Sequence, residues 1–387
     1  TEVDQTEEYP WESIKTLNKE GFMGMTIPTS YGGKGCNYHD AVIVIEGMAR
    51  CCATMGRITV EANMGAIGAI MEYGTEKQKK IAADCVLSGD KPAICITEPG
   101  AGSAATEMTT TAELKGDKYI LNGQKYWITG GGVSRLHLIF AKLMEDGESK
   151  GIAGFIVLRD ENTDLKLGAR EPAMGVRGIP ETYVHFENME VEKDMIVIPP
   201  EGIKRGFAGL MNAYNAQRVG AGTVALGIAQ GAYESALSYA LDRKQFGRPI
   251  AEFQGLQWMM ADMSIGLEAS RALLHNAAKG AGSSFPNMEA AAKAKVLASE
   301  TAIKVTNDAL QIHGSMGYSR SLDLERHVRD ARMFTIAGGT AQILRTQIAS
   351  KILGIVLTKR ANGAASHVEL AGFPHHSLET YLPKLVR

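Results

Sequence analysis

No stretch of the 387 residues reaches the roughly 18 consecutive apolar positions that a membrane-spanning helix needs. The opening residues, TEVDQTEEYP, are acidic and lack the basic-then-apolar order of a secretion signal. Neither sign of charge is in excess: 41 Lys and Arg stand against 43 Asp and Glu, a net charge of -2, so nothing draws the chain to nucleic acid or an anionic membrane. The five cysteines are an odd number without metal-ligand spacing, and Cys51 and Cys52 are adjacent, which suggests neither a disulfide framework nor a zinc site. Reduced thiols and a cytoplasmic location are expected. Walker, HExxH and convincing GxGxxG patterns are missing, so nucleoside-triphosphate hydrolysis and zinc catalysis lack their residues. Aromatics are only 6%, whereas 18 Met and 43 Gly fit a closely packed, helix-rich protein.

What the chain does have is a pattern whose period changes twice. Up to residue 92, segments such as HDAVIVIEGMARC and EKQKKIAADCVLSG carry apolar positions at three- and four-residue spacing, which predicts a unit of short helices. From 93 to 204, runs such as DKYILNGQKYWITGG, LHLIFAKL and TYVHFENMEV are rich in Val, Ile, Thr and aromatics and broken by Gly, Asp and Asn, which predicts an antiparallel sheet. The helical period returns over 205–354, in long segments near 206–244, 253–281, 287–313 and 323–353, the lengths of an antiparallel four-helix bundle. A Pro/Gly boundary at Ile198-Pro199-Pro200-Glu201-Gly202 precedes it, and 355–387 reads as an irregular tail. The class is α+β, mostly α.

Three segments offer chemistry. In Ile96-Thr97-Glu98-Pro99-Gly100-Ala101-Gly102-Ser103 a strand runs into a Gly-rich turn that presents backbone N–H groups and hydroxyls to a flat polar ring or an anion, or makes an ordinary hairpin turn. Trp127 and Thr129, two residues apart, share one face of a strand, for packing or for a ligand. Arg243, Gln245, Phe246 and Arg248 follow a long helix and suit a pyrophosphate, or form a solvated charge run.

In their order, ITEPGAGS, YWITGG, DRKQFGRPI, FQGLQWMMADM, QIHGSMGY, RDAR and GGTAQILR resemble the flavin-dependent acyl-CoA dehydrogenase family over nearly the whole chain. That resemblance implies an N-terminal helical domain, a middle β-barrel and a C-terminal four-helix bundle. It also implies FAD, with Ile96, Thr97, Ser103, Trp127 and Thr129 at the isoalloxazine ring. Arg243, Gln245 and Phe246, with Gln311 and Gly314 of a neighbouring subunit, would hold the pyrophosphate and adenine part, and Thr340 and Gln342 would complete the site. A site shared in this way implies an oligomer, in this family a homotetramer built as a dimer of dimers. The family's first helix is largely missing, so the chain starts about one helix late.

Members of the family remove an α-proton with a carboxylate while hydride leaves the β-carbon. Here Gly338, in Ala337-Gly338-Gly339-Thr340, stands where the resemblance places that Glu, and the second known base position is Gln217, whose amide is not basic. Arg57 falls on a helix that in the family lines the acyl pocket, where a cation favours an acidic substrate; it would meet a ligand anion or a carboxylate such as Glu61, four residues on. Glu61 is equally open as a displaced base. EEYPWE, CATMGRITV, GVRGIPET and AYNAQRVGAG resemble a desulfinase branch of the family, which implies hydrolysis of 3-sulfinopropionyl-CoA to propionyl-CoA and sulfite without net redox. Arg57, Gln217 and Gly338 would then be catalytic, with Ser103, Asn215 and Arg218 also at the CoA thioester, and Asp330 structural. Such a reaction needs no electron-transferring flavoprotein and involves neither nucleic acid, membrane nor metal. The alternatives are an FAD-dependent acyl-CoA dehydrogenase with a displaced base, coupled to an electron-transferring flavoprotein, or a silent flavoprotein that binds CoA esters.

Overall fold

The computed structural model describes residues 2–282, 284–354, 356–361 and 367–372. The first unit comprises α1 (Glu2–Thr6), α2 (Trp11–Lys19), α3 (Tyr38–Cys51), α4 (Ala53–Asn63), α5 (Ala66–Tyr73) and α6 (Glu76–Leu87). Capping boxes start two of them: Asn37 and Asp40 at α3, Thr75 and Gln78 at α6. Cys52, with extended backbone, breaks α3 from α4, and ten of the eleven residues of α4 are buried.

The second unit is a sheet of β1 (Ala93–Cys95), β2 (Thr111–Lys115), β3 (Lys118–Thr129), β4 (Leu136–Glu145), β5 (Glu148–Leu158), β6 (Lys166–Arg170), β7 (Glu181–Glu192) and β8 (Ile196–Val197). The order is β6-β7-β3-β2-β4-β5-β8, with β1 added on β4. Most pairs are antiparallel as expected, but β1 and β2 both run parallel to β4, because the 96–110 loop returns the chain in its original direction. One face packs a separate core around Tyr119, Phe155, Val184 and Phe186.

The third unit holds α7 (Gly206–Asp242), the short pair β9 (Lys244–Gln245) and β10 (Arg248–Pro249), α8 (Gln254–Lys279), α9 (Met288–His313), α10 (Ser315–Tyr318), α11 (Leu324–Arg332) and α12 (Ala341–Leu353). The helix expected over 323–353 is not continuous. The α11 helix ends at Arg332; Gly338 and Gly339 then take φ of +75° and +92°, and the Thr340 side chain caps α12 by accepting from Ile343 N, so a new helix starts there. In α7, a Cβ on Gly227 would lie 2.6 Å from Ala49 Cβ, and the glycine lets α3 lie directly against α7. Among the described residues no helix is long and apolar enough to cross a membrane.

Part of the tail expected to be irregular is paired: β11 (Val356–Ala361) lies antiparallel to β12 (His367–Gly372), where Val356, Thr358 and Val368 favour extended backbone. The rest of 355–387 lies outside the described residues.

Candidate active site

A cavity of about 950 Å³ opens where α4, the sheet, α7 and the loop before α12 meet. Its wall includes Arg57, Ile96, Thr97, Ser103, Trp127, Thr129, Asn215, Arg218, Gly338 and Thr340, which unites ten sequence-predicted residues from all three units.

The sheet side is held rigidly. A β-bulge between Lys125 and Ile128 puts Trp127 at φ +56° with its indole 49% exposed, and such bulges re-aim side chains. Tyr126 N donates to Thr97 O at 2.8 Å, which fixes the Ile96-Thr97 segment beside the indole. Behind it, the fully buried Lys125 ammonium contacts Glu98 at 2.8 Å and donates to Ile96 O at 3.2 Å. Glu98 also accepts from the backbone and hydroxyl groups of Thr109 and Thr110. Burial would raise the Glu98 carboxyl, but Lys125 and these donors outweigh it and hold it down at about 2. The Gly-rich turn is thus locked by its own glutamate, beyond what a plain hairpin turn requires.

The acyl side is cationic. Arg57, 4% exposed, contacts Glu61 Oε1 through Nη2 at 2.9 Å, while Lys91 contacts Glu61 Oε2 at 2.5 Å and donates to Thr129 O at 3.0 Å. The helical pair between Arg57 and Glu61 therefore forms, and Glu61 has both oxygens committed to cations, which removes it as a displaced base. Among the described residues, Arg57 Nε and Nη1 have no hydrogen-bond partner. Arg218 Nη1 donates to Asn215 Oδ1 at 2.8 Å, and with a neutral partner the guanidinium stays uncompensated; burial lowers its pKa. Lys295 donates to Gly339 O at 2.6 Å without a carboxylate, and burial pushes its ammonium down to about 7.

Gly338 has room as well as an unusual conformation: the nearest atoms to a Cβ there are Ala221 Cβ at 3.8 Å and Lys295 Cε at 4.0 Å. Gln217 does not line the cavity. It lies next to Arg218 on α7, about 100° round the helix, and points at Gly65, where a Cβ would be 2.5 Å from its Oε1. Arg243, Gln245 and Phe246 are exposed on the segment after α7, Gln311 and Gly314 are exposed at the end of α9, and Gln342 is exposed on α12; none lines the cavity. Asp330 accepts from Val176 N at 2.6 Å and anchors the 172–180 loop to α11, a structural part as expected.

Sequence reasoning missed Glu181. It opens β7, lines the cavity, is 7% exposed, and has Thr129 Oγ1 at 2.9 and 3.0 Å from its two oxygens. Along β7 it has the parity of Tyr183 and His185, opposite to the core residues Val184 and Phe186, so strand alternation gave no signal for it.

The sheet wall fits a flavin ring: an aliphatic side chain, two hydroxyls and a half-exposed indole converge from Ile96, Thr97, Thr129 and Trp127 on one space. Comparison with known proteins agrees. Family models of the acyl-CoA dehydrogenase N-terminal, middle and C-terminal domains match residues 1–90, 93–189 and 204–353, and a model of MutS domain I matches 345–387. A 3-sulfinopropanoyl-CoA desulfinase of Cupriavidus necator is 69% identical over 363 residues, 93% of this chain and 92% of the relative. One of the same name from Variovorax paradoxus is 66% identical over 94% of this chain and 92% of its own. The solved butyryl-CoA dehydrogenase from Megasphaera elsdenii superposes with a TM-score of 0.86 at 31% identity, covering 91% of this chain and 92% of that one. The chain belongs to the acyl-CoA dehydrogenase family of FAD-dependent flavoproteins.

Proposed function

We propose that the protein is a desulfinase that hydrolyses 3-sulfinopropionyl-CoA to propionyl-CoA and sulfite without net redox. The observation that carries this reading is Arg57: a buried guanidinium in the cavity wall, with Nε and Nη1 lacking partners, calls for an anionic group on the acyl chain. The two relatives named 3-sulfinopropanoyl-CoA desulfinase support the choice of sulfinate. Arg57 holds the sulfinate oxygens and orients the Cβ–S bond, while Glu61 and Lys91 hold Arg57 in place. Arg218 adds positive field for the CoA ester. The Gly338 N–H is the donor to the thioester carbonyl. FAD, held against Ile96, Thr97, Trp127 and Thr129, supplies a redox-active ring.

Arg243, Gln245, Phe246, Gln311 and Gly314 complete an FAD site across a subunit boundary in a homotetramer; that Phe246 is 93% exposed and does not line the cavity supports this. Units meet near residues 92, 204 and 354, the enzyme works in the cytoplasm, and no electron-transferring flavoprotein takes part. The dehydrogenase reading loses its candidate base, since Glu61 is bound by Arg57 and Lys91.

The test is to give the purified yellow protein 3-sulfinopropionyl-CoA without an electron acceptor and, separately, butyryl-CoA. Sulfite from the first and no flavin bleaching by the second are expected; bleaching without sulfite rejects the desulfinase. Gly338→Glu is expected to reverse this preference, since the site has room for the carboxylate that the family uses. The positive φ at this position imposes a folding cost of about 1–2 kcal/mol on the glutamate, measurable by denaturant titration.

A further inference from the structure

Hydrolysis of a sulfinate needs a proton at carbon as well as a cation at sulfur, and the cations in the cavity wall, Arg57 and Arg218, are guanidinium groups that do not give up a proton near neutrality, while Lys91 stands behind the wall with its ammonium held by Glu61. Glu61 is paired twice. Glu181 is the carboxyl group that remains: it lines the same cavity, its oxygens lie 2.9 and 3.0 Å from Thr129 Oγ1, and no cation lies within ion-pair distance of it among the described residues. We propose, on the desulfinase reading above, that Glu181 is the proton donor of this site, delivering its proton to the substrate β-carbon as the carbon–sulfur bond breaks.

The step balances. The Cβ–S bond breaks with its electron pair on carbon, which takes the Glu181 proton and becomes the propionyl methyl group. Sulfur leaves at the level of sulfur dioxide, held by Arg57; water adds to it to give hydrogen sulfite, and the proton released returns to Glu181. No external oxidant or reductant enters.

The surroundings keep the proton available at neutral pH. Burial is the largest effect and raises the Glu181 carboxyl, Arg57 and the Thr129 hydroxyl oppose it, Glu61 adds to it and Lys91 opposes it, and the result lies at about 7. Tyr214 on α7 faces the same space, and burial raises its phenol, so it stays protonated through that range. Glu181 therefore carries its proton below about pH 7 and loses it above. Lys295 titrates in the same window, beside Gly339.

Glu181→Gln tests this, with sulfite release from 3-sulfinopropionyl-CoA measured between pH 5.5 and 9, roughly the span that brackets a group titrating near neutrality. Turnover is expected to fall at least about 100-fold, with KM changed by less than about threefold and the flavin spectrum kept. The wild type is expected to lose activity above neutrality, and the residual activity of the variant to lack that limb, which separates Glu181 from Lys295. Turnover within about fivefold of wild type, with the limb intact, overturns the proposal. Should Glu181→Gln lose its flavin, Glu181→Asp decides: a displaced alkaline limb supports the proposal and an unmoved one overturns it. A wild type that releases no sulfite overturns the desulfinase reading itself, and the proposal with it.

Discussion

Arg57→Lys is expected to lower kcat/KM for sulfite release by about 100-fold or more, the scale of removing one preorganised charge-stabilising donor. A lysine keeps the charge and can reach Glu61, but it cannot supply the guanidinium donors Nε and Nη1 that now lack partners. Arg57→Ala is expected to lose more, because the sulfinate then enters a pocket without its counter-charge. Neither change should unfold the protein, since Glu61 retains Lys91 at 2.5 Å and no buried carboxylate is stranded. Steady-state kinetics beside flavin absorbance checks both points. Equal kcat/KM in wild type and Arg57→Lys would show that a point charge is enough and that guanidinium geometry plays no part.

The second large effect concerns stability and is asymmetric. Glu98→Ala strands the fully buried Lys125 ammonium, with only Ile96 O and the distant Met108 sulfur near it, and is expected to cost about 3–5 kcal/mol in denaturant unfolding. Lys125→Met leaves Glu98 its four donors from Thr109 and Thr110, and is expected to cost less. The pH dependence has a definite sign. A carboxyl held at about 2 in the fold, against an ordinary value of 4.5, stabilises fully above 4.5 and loses that contribution as pH falls towards 2. The wild type should therefore lose stability through this acid window, and Glu98→Ala should lose less. The same loop carries Thr97 and Ser103 into the cavity, so Glu98→Ala should also weaken flavin retention.

The sequence was informative where a local period or a short motif decides structure. The order of helices, sheet and bundle follows from changes of hydrophobic period, and the Arg57 and Glu61 pair follows from i,i+4 spacing on α4. Periodicity failed at 333–340, where apolar spacing continues although α11 stops at Arg332 and the positive φ of Gly338 and Gly339 keeps it from running on into α12. Residue type alone could not orient Gln217, because one step along α7 turns a side chain away from the cavity that Arg218 faces. Glu181 was hidden for a different reason. A glutamate opening a strand is ordinary on a solvent face, and only the pairing of β7 with β3 sets it, buried, beside Thr129. Lys91, Lys125 and Lys295 share that problem: lysine is expected at the surface, and partners distant in sequence keep these inside.

A redox-neutral cleavage of carbon from sulfur fixes the product stoichiometry, which can be measured under anaerobic conditions. With 3-sulfinopropionyl-CoA and no electron acceptor, equal amounts of sulfite and propionyl-CoA are expected over many turnovers, with the flavin oxidised at the end. An unsaturated acyl-CoA formed once per active site, with a bleached flavin and no sulfite, would contradict it.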